Sequence, residues 1–448
     1  MSHDLSALTD RLLTAARKAG ADAADAMALD GRSISIDVRT GKLEEAQQAE
    51  GVEIGLRVLI GQRQACVSAS DTRDAVIEEM AARAVAMARE APEDPFIGLA
   101  DPSELSTRRD AEGLELSDPS MEPDPAALED EARRAEAAAA AVPGVAQVQS
   151  AGAGAYSRRV HIAMSNGFSG GYTRSGLSTS AVAISGEGLG MERDHDYDSR
   201  VFASDMRSAE EIGKLAGERA VARAGSRRAR TGAYPVLYDE RIASSLIGHL
   251  LQAINGAMIA RGSSWLRDAM GTDVLPRGLS LIEDPLRPRV GGSRPFDAEG
   301  LPSARRAVVE DGVLTGWTLD LATGRKLGLT SSANASRGTS APPAPSIGNV
   351  EMTQGTQSRA ELLADMGTGL LVTSMIGSTI NPNTGDYSRG ASGFWVEKGE
   401  LAYPVNEITV AGNLRDMLRR ITPANDARTH LSRVVPSLLV EGLTLAGD

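Results

Sequence analysis

Few residues in this 448-residue chain have side chains suited to chemistry. There is one Cys and there are five His. One Cys cannot form an intrachain disulfide or a Cys-rich zinc site. Cys66 sits mid-strand between Ala65 and Val67 with no His nearby in sequence, so it reads as a buried, inert thiol. His3, His161 and His430 also stand alone. Asp194-His195-Asp196-x-Asp198 offers oxygens and an imidazole to a metal, and on a strand its three Asp share one face. A polar loop or sheet edge is the plainer reading. His249 lies on an apolar helical pattern, Arg241-Ile-Ala-Ser-Ser-Leu-Ile-Gly-His-Leu-Leu-Gln-Ala-Ile. A helical metal ligand needs a second ligand about one turn away. Ser244 and Ser245 hold the upstream places, Gln252 and Ala253 the downstream ones, and none is a good ligand. A Ser–His nucleophile on this helix lacks an orienting acid. The chain contains no G-x-x-x-x-G-K-[ST], no H-E-x-x-H and no G-x-S-x-G. Gly186-Glu-Gly-Leu-Gly190 is out of register for a dinucleotide loop.

These groups must be held by cores of Ala, Val, Leu and Ile, because aromatic residues are only 3% of the chain. Apolar residues at 42% suffice for more than one core. The net charge of −13 argues against a nucleic-acid partner, since affinity for phosphates comes from basic surfaces. The start, MSHDLSALTDRLL, has no basic segment leading into an apolar one, and Ile242–Ala260 is too polar to span a bilayer. A cytoplasmic protein without a membrane partner is expected.

The pattern along the chain predicts an α+β fold. A helix over 4–19 ends at Gly20. Strands follow at 33–38, 52–60 and 63–70, with a turn at Thr40-Gly41, and Asp71 is placed to cap a helix over 73–90. Residues 91–123 read as a linker or arm. Asp124-Pro125 opens a helix to about 141. Strands follow at 145–156, 159–165 and 177–185, with a hairpin signal at Asn166-Gly167. Ser208-x-x-Glu211 opens a helix to about 224. Arg227–Arg230 reads as a solvated junction. Beyond it come a strand at 234–238, a buried helix over 240–260, and hairpins at Asp311-Gly312 and Lys398-Gly399. The expected domains are therefore 1–90 and 124–230, each an antiparallel sheet with flanking helices, and a β-rich domain with a buried helix over 234–448.

One stretch is more specific. It begins Met366-Gly-Thr-Gly-Leu, peaks at Gly385-Asp-Tyr-Ser-Arg-Gly-Ala-Ser-Gly-Phe-Trp-Val-Glu-Lys-Gly-Glu, and continues Tyr403-Pro-Val-Asn-Glu-Ile-Thr-Val-Ala-Gly-Asn-Leu. Gly232-Ala-Tyr-Pro-Val-Leu, Leu246-Ile-Gly-His-Leu, Pro295-Phe-Asp-x-Glu-Gly and Arg325-Lys-Leu-Gly-Leu support it. With these motifs the chain resembles the TldD/PmbA family, once catalogued as modulators of DNA gyrase and now as metallopeptidases. The resemblance implies two branches that pair. The TldD branch carries H-E-x-x-x-H on the buried helix and a Cys near its C-terminus. The PmbA branch, also called TldE, lacks that set and serves as the partner. Here the Gly-His pair matches Gly248-His249, the first His falls at Ser244, the Glu at Ser245, and the Cys near Val435 or Pro436, just before Ser437.

The resemblance thus implies no catalytic residue, no metal and no cofactor in this chain, with His249 vestigial and zinc in the partner. It implies a TldD-like catalytic subunit as partner, unfolded peptides as substrates, a role in proteolysis and peptide maturation, and a homodimer when the chain is alone. Thr384–Gly390 reads as a Gly-rich polar loop, and Asp386, Tyr387, Ser388 and Arg389 are its candidates for substrate contact. Exposed strand edges would hold a peptide by strand addition. Two alternatives stay open: a metallopeptidase acting alone with ligands such as Asp194 or His195, and a non-proteolytic scaffold.

Overall fold

The computed structural model describes residues 3–447. Helix α1 (Leu5–Ala19) begins where the Asp4 carboxylate accepts from the Ala7 N–H, and it stops at Gly20 in the left-handed region. Strands β1 (Ala23–Arg39), β2 (Lys42–Ile60) and β3 (Arg63–Ala69) follow. Thr40 and Gly41 both take positive φ, the backbone that a two-residue hairpin turn needs. Asp71 does not cap α2 (Asp74–Glu90). Its carboxylate is taken by the backbone N–H and guanidinium of Arg73 instead. Helix α3 (Pro125–Ala140) is capped by Asp124. The strands expected at 145–156 and 159–165 are one element, β4 (Val145–Met164), which pairs without a break into β1. β5 (Ser169–Ser185), β6 (Glu192–Arg200) and α4 (Ala209–Ala222) complete this half, and Ser208 caps α4 through the Glu211 N–H.

Among the described residues these strands form one antiparallel sheet in the order β3-β2-β1-β4-β5-β6. The segments read as separate units over 1–90 and 124–230 therefore contribute to one sheet, joined where Asp25 to Val38 pair with Met164 to Ala151. Side chains alternate across a sheet. Ala26, Ala28, Ile54, Leu56 and Val58 face α1 and α2. Ile34, Ile36, Ala153 and Ala183 face α3 and α4. The opposite face carries Met27 and Ile162, which pack on Phe296 of the C-terminal half. Residues 91–123 run over both halves: Ser106 N–H donates to Gly300 O at 2.8 Å, and Arg325 reaches the carbonyls of Phe96 and Leu99.

The C-terminal half contains a closed barrel beside a smaller five-stranded sheet that includes the hairpin at Asp311-Gly312. The barrel strands are β7 (Gly232–Tyr238), β8 (Gly369–Ile380), β9 (Asp386–Glu397), β10 (Glu400–Asn413) and β11 (Leu438–Ala446). The order is β10-β9-β8-β7-β11, and Thr409 to Ala411 of β10 pair with Ala446 to Thr444 of β11 to close the ring. β7 and β8 are parallel and the other pairs antiparallel. The helix expected over 240–260 is two. Glu240–Ala253 (α5) ends before Asn255, whose side chain caps Gly256–Ala260 (α6). Val236, Tyr238, Val372, Trp395 and Val410 form one core with Leu246, Ile247 and Leu250 of α5. Leu237, Leu371, Val396 and Leu439 point the other way, against the helix Arg359–Met366. Ring closure removes most of the free strand edge expected of this half. An exception is the end of β8: beyond Val372 it pairs only with β9 among the described residues.

Candidate functional site

The site is built on α5. Asp239 caps it through the Arg241 N–H, and Ala243, Leu246, Ile247, Leu250 and Leu251 fix its buried face at helical spacing. Ser245 and His249, four residues apart, lie on the same side one turn from each other. The His249 ring meets the Tyr387 ring edge-on, with centroids 5.9 Å apart. The Tyr387 hydroxyl donates to Met375 Sδ of β8 at 3.3 Å. Arg389 follows on the same face of β9, and its Nε donates to Gly377 O at 2.7 Å. So two of the four substrate-contact candidates, Tyr387 and Arg389, come together with His249 beside the open end of β8.

The other two do not. Asp386 is exposed and accepts from Thr384 Oγ1 at 2.6 Å and Asn413 Nδ2 at 3.0 Å, which hold its carboxyl below the usual range. Ser388 alternates with Tyr387 and Arg389 along β9. The stretch read as a loop over 384–390 is a turn only as far as Gly385. From Asp386 the backbone pairs on both sides, with β8 and with β10, and this alternation separates the four candidates into two faces.

The electrostatics at His249 are those of a neutral, cation-facing ring. Burial pushes the imidazole down to about 4, and the Arg389 charge pushes the same way. Buried Nε2 of His249, Oγ of Ser245 and Oγ1 of Thr373 have no hydrogen-bond partner within the protein. An NMR titration is expected to show His249 neutral at pH 6 with its midpoint near 4. A midpoint near 6.5 would mean that the ring is solvated and the Arg389 cation screened. The donor set does not fit a divalent ion. The one imidazole stands beside a guanidinium with a serine one turn back along the helix, and no group of three His, Cys, Asp or Glu suited to a metal exists among the described residues. Ser437, just after the positions expected to match a TldD-branch Cys, donates its hydroxyl to Asp426 Oδ2 at 2.7 Å. The Cys66 thiol is pushed up to about 11 by burial, against a smaller opposing pull from Arg57.

Asp194, Asp196 and Asp198 do share one buried face of β6, an edge strand. They face arginines. Arg241 of α5 reaches Asp194 at 3.0 Å, Arg219 reaches Asp196 at 2.6 Å and Arg200 reaches Asp198 at 3.0 Å. Arg223 lies 3.6 Å from Asp194 and Arg207 lies 2.8 Å from Asp196. His195 points the other way, its side chain 59% exposed. The acids thus tie the N-terminal sheet to the first turn of α5. Sequence reading missed this network, although a signal was there. Arg219 and Arg223 are one helical turn apart, about 6 Å of rise. Alternate Asp on a strand are about 7 Å apart, so the two series match. Arg227, in the basic run, lies over the Tyr403 ring at 3.6 Å.

Comparison with known proteins agrees with this geometry. Profiles of the PmbA/TldA metallopeptidase match in three parts: domain 1 over 24–88, the central domain over 118–224 and the C-terminal domain over 231–447. The chain is 34% identical over 428 residues to Metalloprotease PmbA of Escherichia coli O157:H7, covering 95% of this chain and 93% of that one. The chain belongs to the PmbA/TldD metallopeptidase family. Another member, the Metalloprotease PmbA homolog of Haemophilus influenzae, is 33% identical across 97% of this chain and 94% of its own length. Among solved PmbA/TldD-like structures, a Bacteroides thetaiotaomicron protein provisionally named a modulator of DNA gyrase superposes with a TM-score of 0.89 at 26% identity, covering 99% of this chain and 98% of that one. TldE from Thermococcus kodakarensis shares the fold, with a TM-score of 0.84 at 19% identity over 98% and 99% of the two chains. No described helix is long and apolar enough to cross a membrane.

Proposed function

We propose that this chain is the non-catalytic subunit of a heterodimeric PmbA/TldD-family metallopeptidase that degrades or processes unstructured peptides in the cytoplasm. The observation that carries the reading is the chemistry around His249. Ser244 and Ser245 stand where a ligand and a general base would be needed, and Arg389 places a fixed positive charge beside the one imidazole. A hydrolytic zinc needs three protein ligands and a base for its water. The zinc and the base come from a companion chain carrying H-E-x-x-x-H. This chain supplies a wall of the chamber and contacts to the peptide. β8 can hold a peptide backbone at its open edge by strand addition, with Arg389 beside it; Tyr387, 2% exposed in the barrel core, supports that face of β9 rather than meeting the peptide. Asp386 and Ser388, on the opposite face of β9, contact it only if the peptide passes over the hairpin end.

The test is assembly. Mixed with a companion chain that has the intact motif, this chain is expected to run as a 1:1 complex by light scattering. Alone, it is expected to self-associate through the same face. A chain that stays monomeric in both experiments contradicts the proposal.

A further inference from the structure

The face of the N-terminal sheet opposite its helices does not close completely on the C-terminal half. A cleft of about 550 Å³ remains between them. Its floor is apolar: Met27 and Leu29 of β1, Val160 and Ile162 of β4, and Tyr172 of β5, with Phe296 as a side wall. Its charges are one-sided. Arg158, Arg174, Arg294, Arg337 and Arg433 line it, and Asp297 is the one acid among its lining residues. Asp297 feels the Arg294 charge but makes no ion pair with a described residue. Its oxygens accept from the backbone N–H groups of Glu299, Leu301 and Ala335. In a chain with a net charge of −13, five guanidiniums in one cleft are a local reversal of sign.

These cations are only partly neutralised from behind. The Arg337 side chain is 1% exposed and pairs with Asp25, but Asp25 also accepts from Arg57 at 2.5 Å, so one carboxylate serves two buried guanidiniums. Nη2 of Arg337 has no hydrogen-bond partner within the protein, and neither does Nε of Arg294. Glu283 lies 4.0 Å from Arg294 and is already engaged by Arg306 at 2.8 Å. Arg174 donates to the carbonyls of Gly291 and Ser293, not to an acid. Arg158 and Arg433 make no ion pair with a described residue. Unpaired guanidinium groups in a concave, part-apolar site focus potential and favour a carboxylate or phosphate ligand.

The shape selects between those. Beyond Leu29, Arg158 and Arg174 the cleft runs on over the same sheet face into a second groove of about 680 Å³. The second groove adds Glu50 and Glu53 to its lining, so the excess of positive charge lies in the first cleft, and a trough that is cationic in one part fits an extended chain ending in an anionic group. We propose that this cleft binds an extended peptide by its carboxylate, with the exposed Arg158 and Arg433 meeting the anionic group. That the ligand is a peptide rests on the proposed role in peptide proteolysis. That the ligand is an anion rests on the cleft alone.

The test is calorimetry on the full chain with three probes: an N-acetylated hexapeptide with uncharged side chains and a free C-terminal carboxylate, the same peptide amidated, and inorganic phosphate. The free acid is expected to bind at least about tenfold more tightly than the amide, since the amide forfeits the charge-assisted hydrogen bonds. In Arg158→Ala/Arg433→Ala, which alters two exposed side chains without ion pairs, the acid is expected to weaken by about tenfold or more while the amide is unchanged. Equal affinity for acid and amide, or no binding of either, overturns the site. Displacement of the peptide by equimolar phosphate overturns the peptide assignment and gives the cleft to a free oxyanion. A chain that binds the acid but forms no complex with a catalytic companion keeps this site and loses the proposed function; a chain that assembles but does not distinguish acid from amide does the reverse.

Discussion

Asp25→Ala is expected to cost about 3–5 kcal/mol of stability, the usual penalty for stripping one partner from a buried ion pair. Asp25 is 1% exposed and sits between Arg57 and Arg337, whose side chains are 4% and 1% exposed. Arg57 is its cross-strand neighbour on β2. Arg337 comes from the C-terminal half. Removing the carboxylate leaves two buried guanidiniums without an ion-pair partner, with Gln64 as a neutral acceptor for Arg57 and only the longer-range pull of Glu299 and Asp320 on it. Denaturant unfolding measures the loss. Adding Arg337→Met to Asp25→Ala should recover part of it, because the second change removes one of the orphaned charges. A loss below about 1 kcal/mol, the range of exposed pairs, would mean that water reaches the cluster and that the two halves are not joined by it.

The second large effect is a dependence on pH centred on Glu299. Burial pushes its carboxyl up to about 8, and the neighbouring Asp297 charge adds to the push. Burial raises Asp297 as well. The folded protein therefore holds a proton on Glu299 between about 4.5 and 8, where the unfolded chain is ionised. Stability is fully present below the unfolded value and falls as pH rises through that window, by up to about 1.4 kcal/mol per pH unit for one proton. Above about 8 the slope from this group ends. Glu299→Gln keeps the shape and the acceptor for the Leu321 N–H while removing the titration. Its unfolding free energy is expected to vary much less between pH 5 and 8, with the remainder due to Asp297. A variant with the same slope as the parent would show that Glu299 is ionised in the folded protein.

Local chemistry was legible in the sequence wherever it was decided locally. Thr40-Gly41, Asp311-Gly312 and Lys398-Gly399 all appear as turns with two successive positive φ values, because X-Gly pairs tolerate that backbone. Asp124 caps α3 as read, and the buried face of α5 follows its apolar spacing. What was not legible depends on pairings distant in sequence. β1 joins β4 across more than a hundred residues, which turns two apparent units into one sheet. The barrel closes only when β11 reaches β10. Asn255 ends α5 because its side chain caps α6, a choice that an apolar pattern does not reveal.

The site divides in the same way. That Ser244 and Ser245 stand where the resemblance would put a His and a Glu, with His249 the one match, was readable residue by residue. Arg389, which lies some 140 positions further on, meets His249 only through the barrel, and nothing in the sequence pairs them. The alternating acids of β6 were visible too. Their arginines were not, because three different elements bring them in.

The central claim is that this chain contributes no metal centre of its own and works through a companion that does. The direct measurement is metal content together with peptide cleavage, on the pure chain and on its complex with an H-E-x-x-x-H chain. The account predicts no stoichiometric zinc and no cleavage for the chain alone. In the complex it predicts one zinc per heterodimer, and cleavage that survives His249→Ala here but is lost when the companion's Glu is replaced. Stoichiometric zinc on the chain alone, with cleavage abolished by His249→Ala, would contradict it.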